Sequence, residues 1–239
     1  MLTPILLFDL GDTLVQYYQR EEFPPILQEA IQRAKGVAQR AGFKAPSELE
    51  IARRVKEESH EARNYRVRPL EKRLIRIFGL PPRDLSEEFL LDLCRAFLGP
   101  IFSVAKIYSD TLPTLNSYRA EGYRIGILSN LPWGAPASLW QEEVNRHGIL
   151  ELCEVAIFCS QVGWRKPARP IFRSALEQFS CLPHECLFIG DNPHWDIMGA
   201  RRAGMSAVLI DRRKNTSDSI ESLWSLSTVV SQWKKAHFT

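Results

Sequence analysis

Ile5-Leu6-Leu7-Phe8-Asp9-Leu10-Gly11-Asp12-Thr13-Leu14 is the stretch from which the fold is read. Four apolar residues run directly into a carboxylate. That is the pattern of a short strand buried on both faces of a parallel sheet. Gly11 breaks the strand, and Asp12 and Thr13 follow. An acid at the carboxyl end of such a strand lies where open α/β sheets bind ligands. Two clustered carboxylates at the end of a buried run need their charge compensated, and a metal ion is the simplest compensation. Taken alone, the same residues also fit a strand followed by a polar turn.

Downstream of Leu14 the period of the apolar residues changes. Ile26, Leu27, Ala30, Ile31, Ala34, Val37 and Ala38 recur at helical spacing, with Pro24-Pro25 at the start and Gly42 at the stop. Ser47, with Glu50 three residues on, predicts a capped second helix running to about Asn64. A third is predicted from Leu70 to Phe78. A fourth opens near Ser86, carries Phe89, Leu90, Leu93, Phe97 and Leu98, and is expected to break at Gly99-Pro100. Residues 16–105 thus read as wholly helical, an insertion between a first and a second strand. The predicted organisation is an α/β core of residues 1–15 and 106–239, with residues 16–105 as a helical subdomain.

Strands and helices then alternate. Tyr123 to Leu128, Val155 to Phe158, Cys186 to Ile189 and Ser206 to Ile210 read as strands. Helices are predicted over Pro113 to Gly122, Ala135 to His147, Pro170 to Phe179 and Asp196 to Ala203. This rhythm predicts a parallel sheet. After Asp211 the pattern weakens to a polar loop from Arg212 to Asp218, a helix from Ile220 to Leu226, a short strand at Val229-Val230 and a frayed tail from Gln232.

Bulk properties narrow the function. The chain has 239 residues, 45% hydrophobic and 25% charged, enough for a substantial core. A net charge of +3 with dispersed basic residues argues against nucleic acid or a membrane surface as partner. The one basic cluster, Arg212-Arg213-Lys214, reads as a solvated loop. Five cysteines, with no two spaced as CxxC, argue against a disulfide framework or zinc site and for a reducing cytoplasm. Met1-Leu2-Thr3-Pro4 has no basic region, so no signal peptide is expected. No apolar run approaches the roughly 18 residues of a membrane span. The sequence carries no signal for oligomeric state.

Three predicted strand ends carry polar residues: Asp9 to Thr13, Ser129-Asn130, and Asp191 to Asp196. Arg165-Lys166-Pro167 sits in a loop before a helix. On one sheet edge these groups can converge. Acids suit Mg²⁺, and a hydroxyl with an ammonium suits phosphoryl oxygens. Each also has a plainer reading: Ser129-Asn130 as a turn and helix cap, Asp196 as a cap, Asp191 as a turn residue, Lys166 as a surface lysine. His194, Trp133, Trp164 and Trp195 lie near these segments, as pocket walls or as ordinary rim and core residues.

In that order, the segments resemble the four motifs of the haloacid dehalogenase (HAD) superfamily. Asp9-Leu10-Gly11-Asp12-Thr13-Leu14 resembles the first and Ile127-Leu128-Ser129-Asn130 the second. Lys166-Pro167 with Pro170-Ile171-Phe172 resembles the third. Ile189-Gly190-Asp191-Asn192 through Asp196 to Gly199-Ala200-Arg201-Arg202-Ala203-Gly204-Met205 resembles the fourth. The likeness covers about residues 1–15 and 106–212, and the insertion resembles the family's C1 cap. It implies a Rossmann-like α/β fold and a phosphatase acting on a small phosphorylated metabolite. Asp9 would be the nucleophile that becomes an aspartyl-phosphate. Mg²⁺ would be held by Asp9, the Gly11 carbonyl and Asp191. Ser129, Asn130 and Lys166 would bind substrate, with Asp196, Asn192 and Thr13 supporting from behind.

The chain departs from the family at one place. Family phosphatases usually carry a second Asp two positions after the nucleophile, to protonate the leaving oxygen and then activate water. Here that position is Gly11. Asp12 can substitute if the backbone turns it inward; otherwise its carboxylate bonds the loop's own amides. A missing acid suits leaving groups that need little protonation, such as acyl phosphates. Two other readings stay open: a HAD-fold binding or regulatory module, and a metal-independent 2-haloacid dehalogenase, against which Asp191 argues. Residues 63–68, rich in arginine, hint at an anionic substrate or form a solvated helix end.

Overall fold

The computed structural model describes residues 3–83, 85–213, 216 and 218–238. Strand β1 (Ile5–Phe8) has all four side chains buried. The chain leaves it through β2 (Val15–Gln16) and enters helices α1 (Phe23–Arg40), α2 (Glu48–Glu58), α3 (Leu70–Phe78) and α4 (Glu87–Ser103). It returns through β3 (Lys106–Ile107) to α5 (Thr111–Ala120), β4 (Arg124–Ser129), α6 (Ala137–Arg146) and β5 (Val155–Phe158). A short α7 (Cys159–Val162), α8 (Arg169–Phe179), β6 (Cys186–Gly190), α9 (Gly199–Arg202), β7 (Ser206–Leu209) and α10 (Leu226–His237) complete it.

The main sheet has the order β5-β4-β1-β6-β7, with every neighbouring pair parallel. The first strand is therefore central. Its register sets Phe8 against Ile127 on one side and Ile189 on the other. The ends of β1, β4 and β6 that bear Asp9, Ser129 and Asp191 thus share one edge. The parallel α/β sheet expected from the alternating pattern is observed, and with it the Rossmann-like fold that the resemblance implies. Among the described residues, no helix is long and apolar enough to cross a membrane.

Several local expectations are corrected. The stretch 16–105 is not free of strand: Val15 pairs with Ile107 and Gln16 with Lys106, antiparallel, where the chain leaves and re-enters the core. Two-residue strands have no periodicity to read. Helix α2 stops at Glu58, well short of Asn64. Arg73 Nη1 donates to the Glu58 carbonyl at 2.7 Å and Arg68 Nη1 to the His60 carbonyl, so the last turn is capped by side chains from elsewhere. Helix α4 runs through Gly99-Pro100. An interior proline costs about 3 kcal/mol. Burial of an apolar side chain returns roughly 1.5–3 kcal/mol each, and Phe97, Leu98 and Ile101 around it are fully buried.

At the carboxyl end, Val229-Val230 is helical, not a strand, and the chain beyond Gln232 is ordered helix as far as His237. Leu226, Val230 and Trp233 form one buried face of α10 at helical spacing. Ile220 to Leu226 is not one helix. Ile220 pairs with Ile210, and a single turn at Leu223–Ser225 precedes α10. The segment from Asp196 begins as a wide π-helical turn, Pro193–Met198, before α9. Arg212 is not a solvated residue but is ion-paired and largely buried. Of the other expectations, those on Met1 and Leu2, on Lys214 of the basic cluster, and on parts of the 212–218 loop lie outside the described residues.

Trp233 is 6% exposed. Trp233→Ala is expected to cost about 3 kcal/mol in urea unfolding, whereas a frayed tail would leave the midpoint unchanged.

Candidate active site

The site begins with the loop that follows β1. Leu14 and Val15 both donate backbone N–H to the Leu10 carbonyl, at 2.9 and 3.0 Å, and Asp12 N–H donates to Val15 O at 2.8 Å. The loop is therefore a closed knot, with Asp12 in the left-handed region at φ 52°. Side chains from far along the chain grip it. Thr111 Oγ1 donates to Leu14 O at 2.8 Å. Arg212 donates through Nη2 to Thr13 O at 2.6 Å and through Nη1 to Asp110 Oδ2 at 2.7 Å. Its guanidinium also lies 3.8 Å over the Tyr108 ring. Sequence reasoning missed both Asp110 and Arg212.

Lys166 is the centre of the site. Its Nζ is 2.6 Å from Asp9 Oδ1, 2.6 Å from Asp196 Oδ1, and donates to Leu128 O at 3.0 Å. The side chain is almost completely buried. Burial opposes its charge, but Asp196 and Asp9 hold its pKa above the ordinary lysine value. Asn130 fixes where this lysine starts from. Its Oδ1 accepts from Lys166 N–H at 2.8 Å and its Nδ2 donates to Lys166 O at 3.2 Å. The Asn130 amide, expected to meet substrate, is thus engaged with the lysine's own backbone. Ser129, the last residue of β4, is buried beside it and donates Oγ to the Asn130 carbonyl at 3.3 Å.

Three acids converge here. Asp9, Asp191 and Asp196 each offer an oxygen, and these lie within 4.8 Å of one another. Burial, then Asp9 and Asp196, push the Asp191 carboxyl up to about 9. Asp196 is pushed up to about 6 by burial, against the opposing pull of Lys166. One ammonium facing three carboxylates leaves surplus negative charge, and all-oxygen donors suit a hard divalent cation. Asp196 reaches the site because residue 190 is glycine: a Cβ there would sit 2.6 Å from the Asp196 carboxylate. Asn192 shapes the same turn, its Oδ1 accepting from His194 and Trp195 N–H at 3.0 and 2.9 Å. Thr13, within the loop, is fully buried.

Asp12 lies to one side. It shares a cavity of about 500 Å³ with Asp191, Gln16, Gln19, Tyr108 and Arg213. Its Oδ1 is buried and accepts no hydrogen bond among the described residues, so this oxygen does not bond the loop's amides. Burial raises its pKa, with Arg213 acting against the rise. Gly11 is open. A Cβ there would meet nothing nearer than Tyr17 Cδ2 at 4.0 Å.

The flanking residues sort more plainly. Trp133 is buried against Phe97, with ring centroids 5.3 Å apart. Trp164 lies under the Arg66 guanidinium at 3.9 Å, and Arg68 is ion-paired with Glu58. Two of the three arginines read as hints of an anionic substrate are therefore engaged within the protein. His194 and Trp195 are exposed, and the His194 ring faces Tyr65 at 6.5 Å. Residues 65–67 also run antiparallel to 163–165, with Arg165 N–H donating to Tyr65 O at 2.8 Å and Val67 N–H to Gly163 O at 3.1 Å. The inserted helices thus touch the core beside Lys166.

Comparison with known proteins identifies the family. The glyceraldehyde 3-phosphate phosphatase of Methanopyrus kandleri is 30% identical over 210 residues, covering 87% of this chain and 84% of that protein. The glyceraldehyde 3-phosphate phosphatase of Methanothermobacter thermautotrophicus is 34% identical over 110 residues, 46% of this chain, and the match spans only 47% of that relative's length. The crystal structure of a HAD phosphatase from Thermococcus onnurineus shares the fold, with a TM-score of 0.65 at 24% identity, over 95% of this chain and 98% of that one. The model of the haloacid dehalogenase-like hydrolases matches residues 3–204. The chain belongs to the haloacid dehalogenase-like hydrolase family.

Proposed function

We propose that the protein is a Mg²⁺-dependent phosphatase of small phosphorylated metabolites, with Asp9 as nucleophile. The observation that carries this reading is the buried Lys166 ammonium, 2.6 Å from both Asp9 and Asp196, beside a third acid, Asp191. The named relatives, phosphatases of a three-carbon phosphate, support the substrate class.

Asp9, Asp191 and the Gly11 carbonyl would hold the ion, whose fit rests on the uncompensated charge of the acid cluster. When bound, it supplies the positive charge that offsets repulsion between a carboxylate and a phosphate. The rest falls to the chain. Lys166 holds Asp9 Oδ1, which fixes the carboxylate's rotation for in-line approach. An Asp9 oxygen bonds to phosphorus as the bond to the leaving oxygen breaks, giving an aspartyl-phosphate that water then cleaves. Ser129 donates to a phosphoryl oxygen, and Lys166 offsets the charge that grows there. Asn130 acts through Lys166, by holding both polar atoms of its peptide unit.

The leaving oxygen must acquire a proton or depart without one. Gly11 has none to give, so the chemistry favours leaving groups stable as anions, such as acyl and aryl phosphates. Asp12 is the nearest other acid of this loop and faces the adjoining cavity.

In Asp9→Asn, Mg²⁺-dependent release of phosphate from p-nitrophenyl phosphate should vanish, as it should with EDTA in the wild type. Mg²⁺ should also raise the wild-type melting temperature, and Asp191→Asn should erase that shift. Turnover that persists in Asp9→Asn, or chloride release from 2-chloropropionate without metal, would overturn the reading. Gly11→Asp is predicted to speed hydrolysis of alkyl phosphates by about 10²-fold, the worth of a placed general acid, and to change p-nitrophenyl phosphate little. Asn130→Ala should lower kcat by about 100-fold through misplacement of the lysine, with KM far less altered.

A further inference from the structure

Two thiols outside the site face each other. Cys181 follows α8 and Cys186 opens β6, with their sulfurs 3.4 Å apart. The remaining cysteines, Cys94, Cys153 and Cys159, make no sulfur–sulfur contact among the described residues. The four residues between the pair form a single tight turn. Leu182 N–H donates to Glu185 Oε2 at 2.6 Å, and Cys186 N–H donates back to the Pro183 carbonyl. The turn therefore holds the two sulfurs at van der Waals contact. A disulfide bond is about 2.05 Å long, so closure needs an approach of about 1.4 Å, within the reach of small side-chain rotations.

The two thiols differ in access. Cys186 is fully buried, whereas Cys181 is half-buried at the end of its helix. A small reagent reaches Cys181 first and finds Cys186 directly behind it. That is the arrangement of an attacked thiol and a resolving thiol.

We propose that Cys181 and Cys186 are an oxidation site, forming an intramolecular disulfide by exchange with small-molecule disulfides. In the first step the Cys181 thiol loses its proton to solvent and its sulfur attacks glutathione disulfide. One sulfur–sulfur bond forms, the old one breaks, and one glutathione thiolate leaves and takes up a proton. In the second step Cys186, likewise deprotonated, attacks the Cys181 sulfur of the mixed disulfide and expels the second glutathione. Two protein thiols are oxidised and one glutathione disulfide is reduced to two glutathiones. Burial raises both thiols above the ordinary cysteine range, so the exchange is slow near neutrality and faster in mild alkali.

The position of the pair dictates the consequence. Cys186 lies opposite Ile5 at the start of β6, while Asp191 follows the other end of that strand. The bond would form at the sheet edge away from Lys166 and Asp9. It should leave hydrolysis intact and raise the melting temperature by restricting the unfolded chain.

The test uses the full-length protein, exposed to glutathione disulfide in mildly alkaline buffer, alkylated with iodoacetamide and digested with trypsin. Both cysteines fall on one tryptic peptide, residues 174–201. That peptide is expected to lose two hydrogens, to resist alkylation, and to recover both thiols after dithiothreitol, while the other three cysteines alkylate. Cys186→Ser is expected to accumulate a glutathione adduct on Cys181 that the wild type resolves. Cys181→Ser should form neither product and keep its basal hydrolysis. Alkylation of both thiols after oxidation, or a lasting glutathione adduct in the wild type, would overturn the proposal. The wild-type mapping needs no variant to fold, and its outcome is independent of the phosphatase reading.

Discussion

One buried ammonium organises this molecule. Lys166 Nζ lies between Asp9 Oδ1 and Asp196 Oδ1, at 2.6 Å from each. Desolvating a charge costs several kcal/mol, recovered only when its hydrogen-bonding capacity is filled. Lys166 donates to Asp9 Oδ1 and to the Leu128 carbonyl and is ion-paired with Asp196 Oδ1. That satisfaction ties together the ends of β1 and β4, the loop before α8 and the turn after β6. The acids are not satisfied to the same degree. Three carboxylates share one ammonium, and burial first, then the neighbouring carboxylates, raises the Asp191 and Asp196 pKa values against the pull of Lys166. An acid cluster built this way could hold a cation.

The loop carrying Asp9 is held as firmly from outside as from within. The pair Arg212–Asp110 joins the residues after β7 to those before α5, and Arg212 also fastens the Thr13 carbonyl. Strands β2 and β3 hold the chain ends of the inserted helices together within a few residues of the same loop. On the other side, residues 65–67 run along 163–165, just ahead of Lys166. The helical insertion thus meets the core at both the Asp9 loop and the Lys166 loop.

Much of this was legible in the sequence, for a definite reason. Buried parallel strands are short apolar runs, and polar residues at their ends have little structural reason to be there. Hence β1, β4, β5, β6 and β7, and the candidates Asp9, Ser129 and Asp191, could be located residue by residue, whereas Lys166 and Asp196 were singled out by the order of the motifs. What could not be read depends on partners distant in sequence. Arg212 resembled any charged loop residue until its partner, 102 residues away, was visible. Pro100 resembled a helix breaker because the burial around it is tertiary. Val229-Val230 resembled a strand by β-branching, although the spacing of Leu226, Val230 and Trp233 was a helical signal that could have been weighed instead. Asn130 lay in the right motif, but its hydrogen bonds to the Lys166 backbone follow from the approach of two loops and not from any pattern along the chain.

The glycines at 11 and 190 separate a demand of the fold from a choice of chemistry. At 190 the backbone has no alternative, since a Cβ would strike the Asp196 carboxylate that Lys166 requires. At 11 no such contact exists: the nearest heavy atom to a Cβ placed there is 4.0 Å away. Left-handed strain in this loop falls on Asp12, not on Gly11. Close contact therefore does not account for glycine at that position, since a Cβ would be accepted by the same backbone. On the phosphatase reading proposed above, its effect would fall on the reaction: without a side chain at 11, the departing oxygen would find no proton donor at this position. On that reading a phosphate whose leaving group is stable as an anion would lose little by this, and one bound to an alkyl oxygen would lose the proton it needs.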